Sequence, residues 1–203
     1  MSLMAPGAPP LVLASESATR AGLLDAAGLR FEARPARIDE DAVKQSAQAE
    51  GVPAADAALL LAELKAARVR EPGAVVIGAD QLLVCEGRWL SKPHDLHAAR
   101  EQLQGLRGRT HTLFTAVTCV RDGAPLWRHV AQPWLRMRAF SDAFLEAYLA
   151  AEGGAVTTSV GAYRLEGPGA HLFDAVEGEH AAILGLPLLP LLGFLRQHGV
   201  LLG

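Results

Sequence analysis

Residues 11–20 constrain the fold most strongly, because a short apolar run there leads directly into hydroxyl side chains and an arginine. Residues 11–14 predict a buried strand, and the apolar spacing over 21–29 predicts an amphipathic helix after it. Ser17 then stands at the N-cap position. Unpaired N–H groups and the positive end of the helix dipole favour an anion such as phosphate at this turn, where Arg20 can add bidentate contacts. The alternative is a capping serine beside a surface arginine, without a ligand.

The apolar runs along the chain predict a mixed α/β fold. Strands are predicted near residues 11–14, 31–35, 74–79, 82–85, 109–121 and 125–139. Helices are predicted near residues 18–28, 54–69, 95–106, 141–151 and 187–198. Asp122-Gly123 joins two long strands as an antiparallel hairpin, which argues against a purely parallel sheet.

Length and composition bound the domain organisation. The chain has 203 residues, of which 50% are hydrophobic, so it can bury a sizeable core in one domain or two small lobes. We assign a single domain to residues 11–203. Residues 1–10 contain prolines without apolar periodicity and predict a flexible tail, and residues 152–160 predict a mobile loop.

Charge and cysteine content restrict the partners and the compartment. A formal net charge of −3 argues against a nucleic-acid surface, which carries a basic excess. No apolar segment is long enough to span a bilayer, and the N-terminus lacks the basic residues of a signal peptide. Cys85 and Cys119 stand in apolar surroundings and predict buried free thiols rather than a disulfide or a zinc site. We therefore expect a small-molecule ligand and a cytoplasmic protein.

Three later segments carry further candidate residues. The first contains an apolar strand that ends at Asp80, followed by a hairpin and the pair Lys92-Pro93. The second contains Gly-Arg-Thr-His, which ends at His111. The third contains Gly-Ala-Tyr-Arg-Leu-Glu-Gly, in which the glutamate is Glu166. A carboxylate at the end of a buried strand is held rigidly, as catalysis requires.

Together with the Ser-x-Ser-x-x-Arg start, these segments resemble the Maf family of nucleoside triphosphate pyrophosphatases, over roughly residues 11 to 198. The motifs that carry the resemblance are Ser-x-Ser-x-x-Arg, the Gly-Ala-Asp that ends at Asp80, Lys-Pro and Gly-Arg-Thr-His. Four short motifs in the right order are far more specific than any one of them. The resemblance implies an elongated α/β mixed-sheet fold of the inosine-triphosphatase type, with a cleft between two lobes. It also implies hydrolysis of a nucleoside triphosphate between its α- and β-phosphates, with a divalent cation (Mg²⁺ or Mn²⁺) as cofactor. The resemblance further implies that the protein can form a homodimer.

The resemblance assigns the catalytic role to Asp80, as acceptor of a proton from the attacking water. Glu40 lies in the acidic run Ile-Asp-Glu-Asp and is predicted to share the metal with Asp80, through the oxygen ligands that magnesium prefers. The residues alone leave two alternatives open. Asp80 can merely open a turn, and Glu40 can belong to a solvated loop or to the first turn of a helix.

The resemblance also assigns substrate phosphate binding to Ser15, Ser17, Arg20, Lys65 and Lys92. A compact ammonium suits the β- and γ-phosphates as a point charge, and a guanidinium suits two oxygens at once. Without the resemblance, both lysines read as solvated surface groups. We interpret His111 as a structural histidine rather than a catalytic one.

Three positions are predicted to choose the base: Thr19, Gln81 and Glu166. Gln81 and Glu166 match the branch of the family that resembles 7-methyl-GTP pyrophosphatase, whereas the dTTP/UTP-preferring branch has threonine and glutamine there. A carboxylate suits a positively charged N7-methylguanine with its N1–H and N2–H donors. Thr19 departs from both branches, which have arginine or tryptophan at this place. Trp89 can supply the stacking face for the base that Thr19 lacks, or it can be a core residue of the hairpin.

Two alternatives from other classes stay open. The first is a catalytically silent nucleotide-binding regulator of septum formation, against which the intact Asp80 and Lys92 argue. The second is a phosphate-binding module of the Rossmann type, but no Gly-x-Gly-x-x-Gly string follows the first strand.

Overall fold

The computed structural model describes residues 3–203, in which seven α-helices and eight strands are formed. The strands are β1 (Leu11–Leu13), β2 (Glu32–Ala33), β3 (Val75–Cys85), β4 (Arg88–Leu90), β5 (Thr110–Arg121), β6 (Ala124–Ala131), β7 (Trp134–Met137) and β8 (Phe173–Glu177). The α-helices are α1 (Ala18–Ala26), α2 (Glu40–Ala49), α3 (Ala54–Arg68), α4 (Leu96–Leu106), α5 (Asp142–Glu152), α6 (His180–Ile183) and α7 (Leu188–Gln197). Short 3₁₀ helices cover Gly153–Thr158, Val160–Ala162 and Pro168–Leu172.

The strands form one mixed sheet in the order β2-β1-β3-β5-β7-β8, with β4 paired to β3 and β6 paired to β5. β1 pairs in parallel with β2 and β3, whereas β5 pairs antiparallel with β6 and β7. The predicted α/β fold class with a mixed sheet is therefore confirmed. The hairpin at Asp122-Gly123 is also confirmed, since both residues have positive φ, of 51° and 81°.

Four helices begin at a side chain that caps their first turn. Ser17, Asp39, Asp95 and Ser141 each accept a hydrogen bond from a backbone N–H of the following turn. Such caps satisfy donors that have no partner inside the helix. The helix boundaries predicted for α1, α3, α4, α5 and α7 agree with the structure to within two residues.

The chain forms two compact units, which are described separately. Within the described residues, unit 1 comprises 3–80, 115–131 and 185–203, and unit 2 comprises 81–114 and 132–184. The core of unit 1 includes Leu13, Leu24, Ile77 and Phe194. Each such buried leucine or isoleucine contributes about 1.5–3 kcal/mol relative to an exposed position. The single domain over 11–203, the elongated shape and the cleft stay predictions.

The core of unit 2 is built from α4, α5, the 3₁₀ segments and the neighbouring strands. It includes Leu83, Leu103, Leu135 and Tyr148, all buried. Cys85 lies in this core and Cys119 in that of unit 1, and both are free thiols as predicted. The residues predicted as a mobile loop, 152–160, are largely 3₁₀ helix, and Val156 is fully buried there. Their mobility stays a prediction.

The strand prediction was wrong in two places. Residues 74–79 and 82–85 are one continuous strand, β3, so Asp80 lies inside a strand and not at its end. Residues 125–139 are two strands, β6 and β7, which both pair with β5. Pro133 lies between them and has no N–H to donate, so it interrupts the pairing with β5. Three elements had no predicted counterpart: α2, whose residues are mostly polar or alanine, α6 and β8. The predicted hairpin after the Asp80 segment covers β4, for which no bounds were predicted.

Both chain ends of unit 1 pair with each other. Ala5 N donates to Val200 O at 3.0 Å, Leu202 N donates to Leu3 O at 3.0 Å, and Leu201 is buried. The flexible tail over 1–10 stays a prediction, although residues 3–10 carry these contacts and Met1 and Ser2 lie outside the described residues. No helix within residues 3–203 is long and apolar enough to cross a membrane.

Candidate active site

The turn between β1 and α1 holds three of the predicted phosphate ligands. Ser17 is the N-cap, as predicted, and its Oγ accepts a hydrogen bond from Arg20 N at 3.3 Å. Ser15 is buried, and its Oγ accepts from Ser17 N and from Arg20 Nη1, both at 3.2 Å. Thr19 is exposed on the first turn of α1. The hydroxyls and the guanidinium therefore form one connected group.

Arg20 is held by a second contact from the far end of the chain. Its Nε donates to Gly185 O at 2.7 Å. Burial lowers the pKa of Arg20, whereas the negative charges of Asp80 and Glu40 oppose this effect and raise it. Gly185 has φ +106°, and a Cβ there would lie 3.3 Å from Arg20 Nε. Sequence reasoning missed Gly185, for which the only local signal is the glycine itself.

Lys65 joins the two predicted acidic residues. Its Nζ lies 2.5 Å from Asp80 Oδ1 and 2.7 Å from Glu40 Oε1. The Lys65 and Asp80 side chains are 8% and 4% exposed, so this is a buried ion pair. Lys65 was predicted to bind phosphate, yet in this structure its ammonium contacts carboxylates. A buried carboxylate needs such a partner, because an unpaired buried charge is strongly unfavourable.

Close packing of α3 on β3 makes the ion pair geometrically feasible. Gly78 lies on β3 two residues before Asp80, and a Cβ at Gly78 would lie 2.1 Å from Ala62 O of α3. Only glycine permits this approach. Gly78 belongs to the Gly-Ala-Asp string, but its packing role was not predicted from the sequence.

Asp80 presents one oxygen that the ion pair does not use. Its Oδ2 is buried and has no hydrogen-bond partner among residues 3–203. The strand continues past Asp80, whose carboxylate pairs with Lys65, so the predicted strand end was wrong. A rigid, buried carboxylate oxygen of this kind can accept a proton from water or bind a cation.

Glu40 is the first residue of α2, so it belongs to the first turn of a helix rather than to a solvated loop, and its metal role stays a prediction. Asp39 caps the helix by accepting from Ala42 N at 3.0 Å, so the acidic run is a helix start. Glu40 also lies 3.8 Å from Lys44. Its carboxylate thus bridges two lysines and remains partly exposed, with 40% of the side chain accessible.

The two carboxylates fit a hard divalent cation only as a partial ligand set. Within the described part of the chain, no group of three or more His, Cys, Asp or Glu side chains is arranged to hold a metal. Magnesium is commonly bound through one or two carboxylates, with substrate phosphates and water completing its shell. Asp80 and Glu40, which share Lys65, match that pattern.

The other three predicted residues belong to unit 2. Gln81 Nε2 donates to Ala182 O and Ile183 O, both at 3.0 Å, so its amide N–H groups bind backbone. Lys92 is exposed after β4, and Gln102 Nε2 fixes the preceding residue by donating to Ser91 O at 2.7 Å. Glu166 is exposed in a turn over 165–167.

His111 is buried, in agreement with the structural interpretation. Its Nε2 lies 2.8 Å from the Tyr163 hydroxyl, and burial lowers its pKa to about 4. Trp89 is half-buried on β4. The partner role of Tyr163 was missed, although the residue lies in the Gly-Ala-Tyr string.

Comparison with known proteins identifies the family. A family model described as "Maf-like protein" matches residues 10–198. The chain belongs to the Maf family. This match confirms the resemblance and includes all ten predicted site residues, from Ser15 to Glu166.

Near full-length Maf relatives carry one common name. A protein of Granulibacter bethesdensis is 57% identical over 193 residues, which cover 94% of this chain and 98% of the relative. A protein of Rhodospirillum rubrum is 54% identical, over 96% of this chain and 97% of the relative. A protein of Paramagnetospirillum magneticum is 53% identical, over 94% and 99%. All three are named nucleoside triphosphate pyrophosphatase.

Proposed function

We propose that this protein is an enzyme, a nucleoside triphosphate pyrophosphatase that releases a nucleoside monophosphate and pyrophosphate. The names of its full-length Maf relatives support the reaction class, a hydrolase acting on acid anhydrides. One observation carries the proposal in this chain. Asp80 keeps a buried oxygen without a hydrogen-bond partner in the described residues, while Lys65 balances its charge and Arg20 lies within its electrostatic influence.

In the proposed reaction, a water molecule attacks the α-phosphorus and Asp80 Oδ2 accepts its proton. The bond between the α-phosphorus and the bridging oxygen breaks, and the electron pair leaves with pyrophosphate. Arg20 binds phosphate oxygens through its guanidinium, beside the hydroxyls of Ser15 and Ser17. Lys65 stabilises the charged Asp80, and with Lys92 it is proposed to offset substrate charge.

We propose a divalent cation, Mg²⁺ or Mn²⁺, as the cofactor. Maf-family nucleotide pyrophosphatases generally use a divalent metal. Asp80 and Glu40 would hold it, because both carboxylates converge on the same position, that of the Lys65 ammonium, and supply hard oxygen ligands. When bound, such an ion neutralises negative charge on phosphoryl oxygens.

We propose 7-methyl-GTP, or another modified nucleotide, as the preferred substrate. Glu166 would accept from the N1–H and N2–H of the methylated base, and its charge would favour the cationic ring. Gln81 and Thr19 would complete the base-selecting set. A dTTP/UTP preference is the second candidate, and a silent regulator of septum formation is the third. A cytoplasmic location, a homodimer and the lack of nucleic-acid and membrane partners remain proposals from the sequence.

The proposal is tested by pyrophosphate release from 7-methyl-GTP, GTP, UTP, CTP, dTTP and 5-methyl-UTP with each metal. Asp80→Asn should lose at least about a hundredfold in kcat, because proton transfer contributes roughly that factor or more. Asp174→Asn, which alters an exposed aspartate on β8, is the matched control and should retain activity. Equal activity of Asp80→Asn and the control would overturn the role of Asp80. Nucleotide binding without release by the wild type would favour the regulator.

A further inference from the structure

The segment that leads to Glu166 has an unusual backbone. Gly161 has φ +81° and Ala162, which carries a side chain, has φ +60°. A Cβ on Gly161 would lie 2.7 Å from Leu83 and Tyr163 side-chain atoms. Left-handed conformations at a residue other than glycine are costly, so they persist only where surrounding contacts enforce them.

Side-chain contacts on both sides enforce this conformation. The Tyr148 hydroxyl donates to Ala162 O at 3.2 Å, and Ser159 Oγ donates to Tyr163 O at 2.5 Å. Arg164 Nε donates to Glu152 at 2.9 Å, and the Glu152 side chain is only 3% exposed. The path of the chain is therefore fixed up to the residue that starts the turn over 165–167.

The turn over 165–167 is closed by backbone contacts to Arg164. Gly167 N donates to Arg164 O at 3.2 Å. Gly169 packs so tightly that a Cβ there would lie 2.3 Å from Arg164 O. Glu166 is exposed within this turn, so its position depends on how well Tyr163 and Arg164 are held.

His111 supplies the contact that fixes Tyr163 itself. His111 Nε2 lies 2.8 Å from the Tyr163 hydroxyl, and the two residues are 1% and 5% exposed. The edge of Tyr163 meets the Phe173 ring, with ring centres 4.8 Å apart at 77°. Burial lowers the pKa of His111 to about 4 and raises that of Tyr163, so burial favours the neutral form of both groups in this bond.

We propose that the His111–Tyr163 hydrogen bond is a positioning device that orients the Glu166 turn for base selection. This inference rests on the proposed function for its base-selecting consequence. His111 and Tyr163 are both buried, and in this proposal they act through Glu166 rather than by contact with the base. The Gly-Arg-Thr-His and Gly-Ala-Tyr motifs therefore contribute to one hydrogen bond, although 52 residues separate His111 from Tyr163.

The positioning itself is tested without nucleotide, by amide hydrogen exchange of residues 164–167. Tyr163→Phe removes the hydroxyl and keeps the ring, and it should speed exchange there about fivefold, the effect of one lost hydrogen bond. Thr118→Val is the matched control, because it removes a buried hydroxyl that donates to Trp127 O in unit 1. Unchanged exchange at 164–167 in Tyr163→Phe would overturn the proposal.

Base selection is tested by the ratio of kcat/KM for 7-methyl-GTP to that for UTP. Tyr163→Phe should move this ratio about five- to tenfold towards UTP, mainly through KM, because Glu166 loses its orientation. In a Glu166→Ala background, Tyr163→Phe should leave the ratio unchanged. A ratio shift of equal size in that background, or an equal loss on both nucleotides, would contradict action through Glu166.

Conservative variants at the other partner separate positioning from packing. His111→Gln keeps an amide near the Nε2 position and should retain the wild-type ratio, whereas His111→Asn is too short to reach Tyr163 and should behave like Tyr163→Phe. Equal behaviour of the two variants would overturn the inference. An inactive wild type would instead refute the proposed function, while the exchange measurement would still decide the positioning.

Discussion

Replacement of Lys65 by methionine should strongly destabilise the fold. The change leaves the Asp80 carboxylate, which is 4% exposed, without the ammonium that lies 2.5 Å away. Removing one partner of such a buried pair costs about 3–5 kcal/mol of unfolding free energy. The lost contact to Glu40 adds only about 0–1 kcal/mol, because that carboxylate is 40% exposed and screened by water.

Urea unfolding followed by circular dichroism measures this loss of free energy, and thermal unfolding measures it independently. At roughly 2–4 °C per kcal/mol for a chain of this size, the melting temperature should fall by about 6 to 20 °C. Lys44→Met is the matched control, because Lys44 contacts the same Glu40 at 3.8 Å and that carboxylate is 40% exposed. The control should cost about 0–1 kcal/mol.

A double-mutant cycle isolates the pair. In an Asp80→Asn background the side chain at 80 carries no charge, so Lys65→Met should cost at least about 2 kcal/mol less than in the wild type. Additive losses, or a Lys65→Met loss no larger than that of Lys44→Met, would refute the view that Lys65 holds a buried charge on Asp80.

Three further perturbations test other contacts. Gly185→Ala should cost about 1–3 kcal/mol in urea unfolding and raise KM for the triphosphate, because φ +106° strains alanine and its Cβ approaches Arg20; an unchanged KM would contradict the role of this contact. His111 has a folded pKa of about 4 against an ordinary 6.5, so the unfolded chain takes up the proton first. Stability should therefore fall by up to about 3 kcal/mol as pH drops from about 6.5 to about 4, and this part of the loss should be missing in His111→Gln. Gly78→Ala should cost about 3 kcal/mol, since its Cβ would lie 2.1 Å from an α3 carbonyl, whereas Gly105→Ala, with open space, should not destabilise.

The sequence predicted helices better than strands for a physical reason. Long helices carry their own signal, in apolar spacing and in caps such as Ser17 and Ser141, and these local contacts are present in the structure. α2 has the cap Asp39 with acidic residues in its first turn, but it is mostly polar and only Ala47 of the helix is buried, so few apolar residues marked it as a helix in the sequence. The interior position of Asp80 could not be predicted locally, since its partner Lys65 lies on another element.

The same limit applies to the site. Local sequence placed Ser15, Ser17 and Arg20 in one turn, because cap, strand and helix are adjacent there. The sequence offered no reason for Arg20 Nε to bind Gly185 O, 165 residues away. The resemblance assigned Lys65 to phosphate, and only the structure reveals its two carboxylate partners. Motif order identified the family, whereas the contacts among the motifs required coordinates.

The Glu40–Lys65–Asp80 cluster is itself an argument for chemistry at this place. A buried ion pair is often no more stable than apolar side chains of similar volume, so stability alone does not account for one in the core of unit 1. Here the lack of a side chain at Gly78 lets the backbone of α3 approach β3 closely. Asp80 also has a buried oxygen without a hydrogen-bond partner in residues 3–203. Features that lower stability but hold particular side chains in position concentrate at functional sites. Asp80→Leu combined with Lys65→Met should therefore be less destabilising than Lys65→Met alone while abolishing pyrophosphate release. A double variant that unfolds more readily than Lys65→Met would indicate that the cluster stabilises the fold rather than serving catalysis.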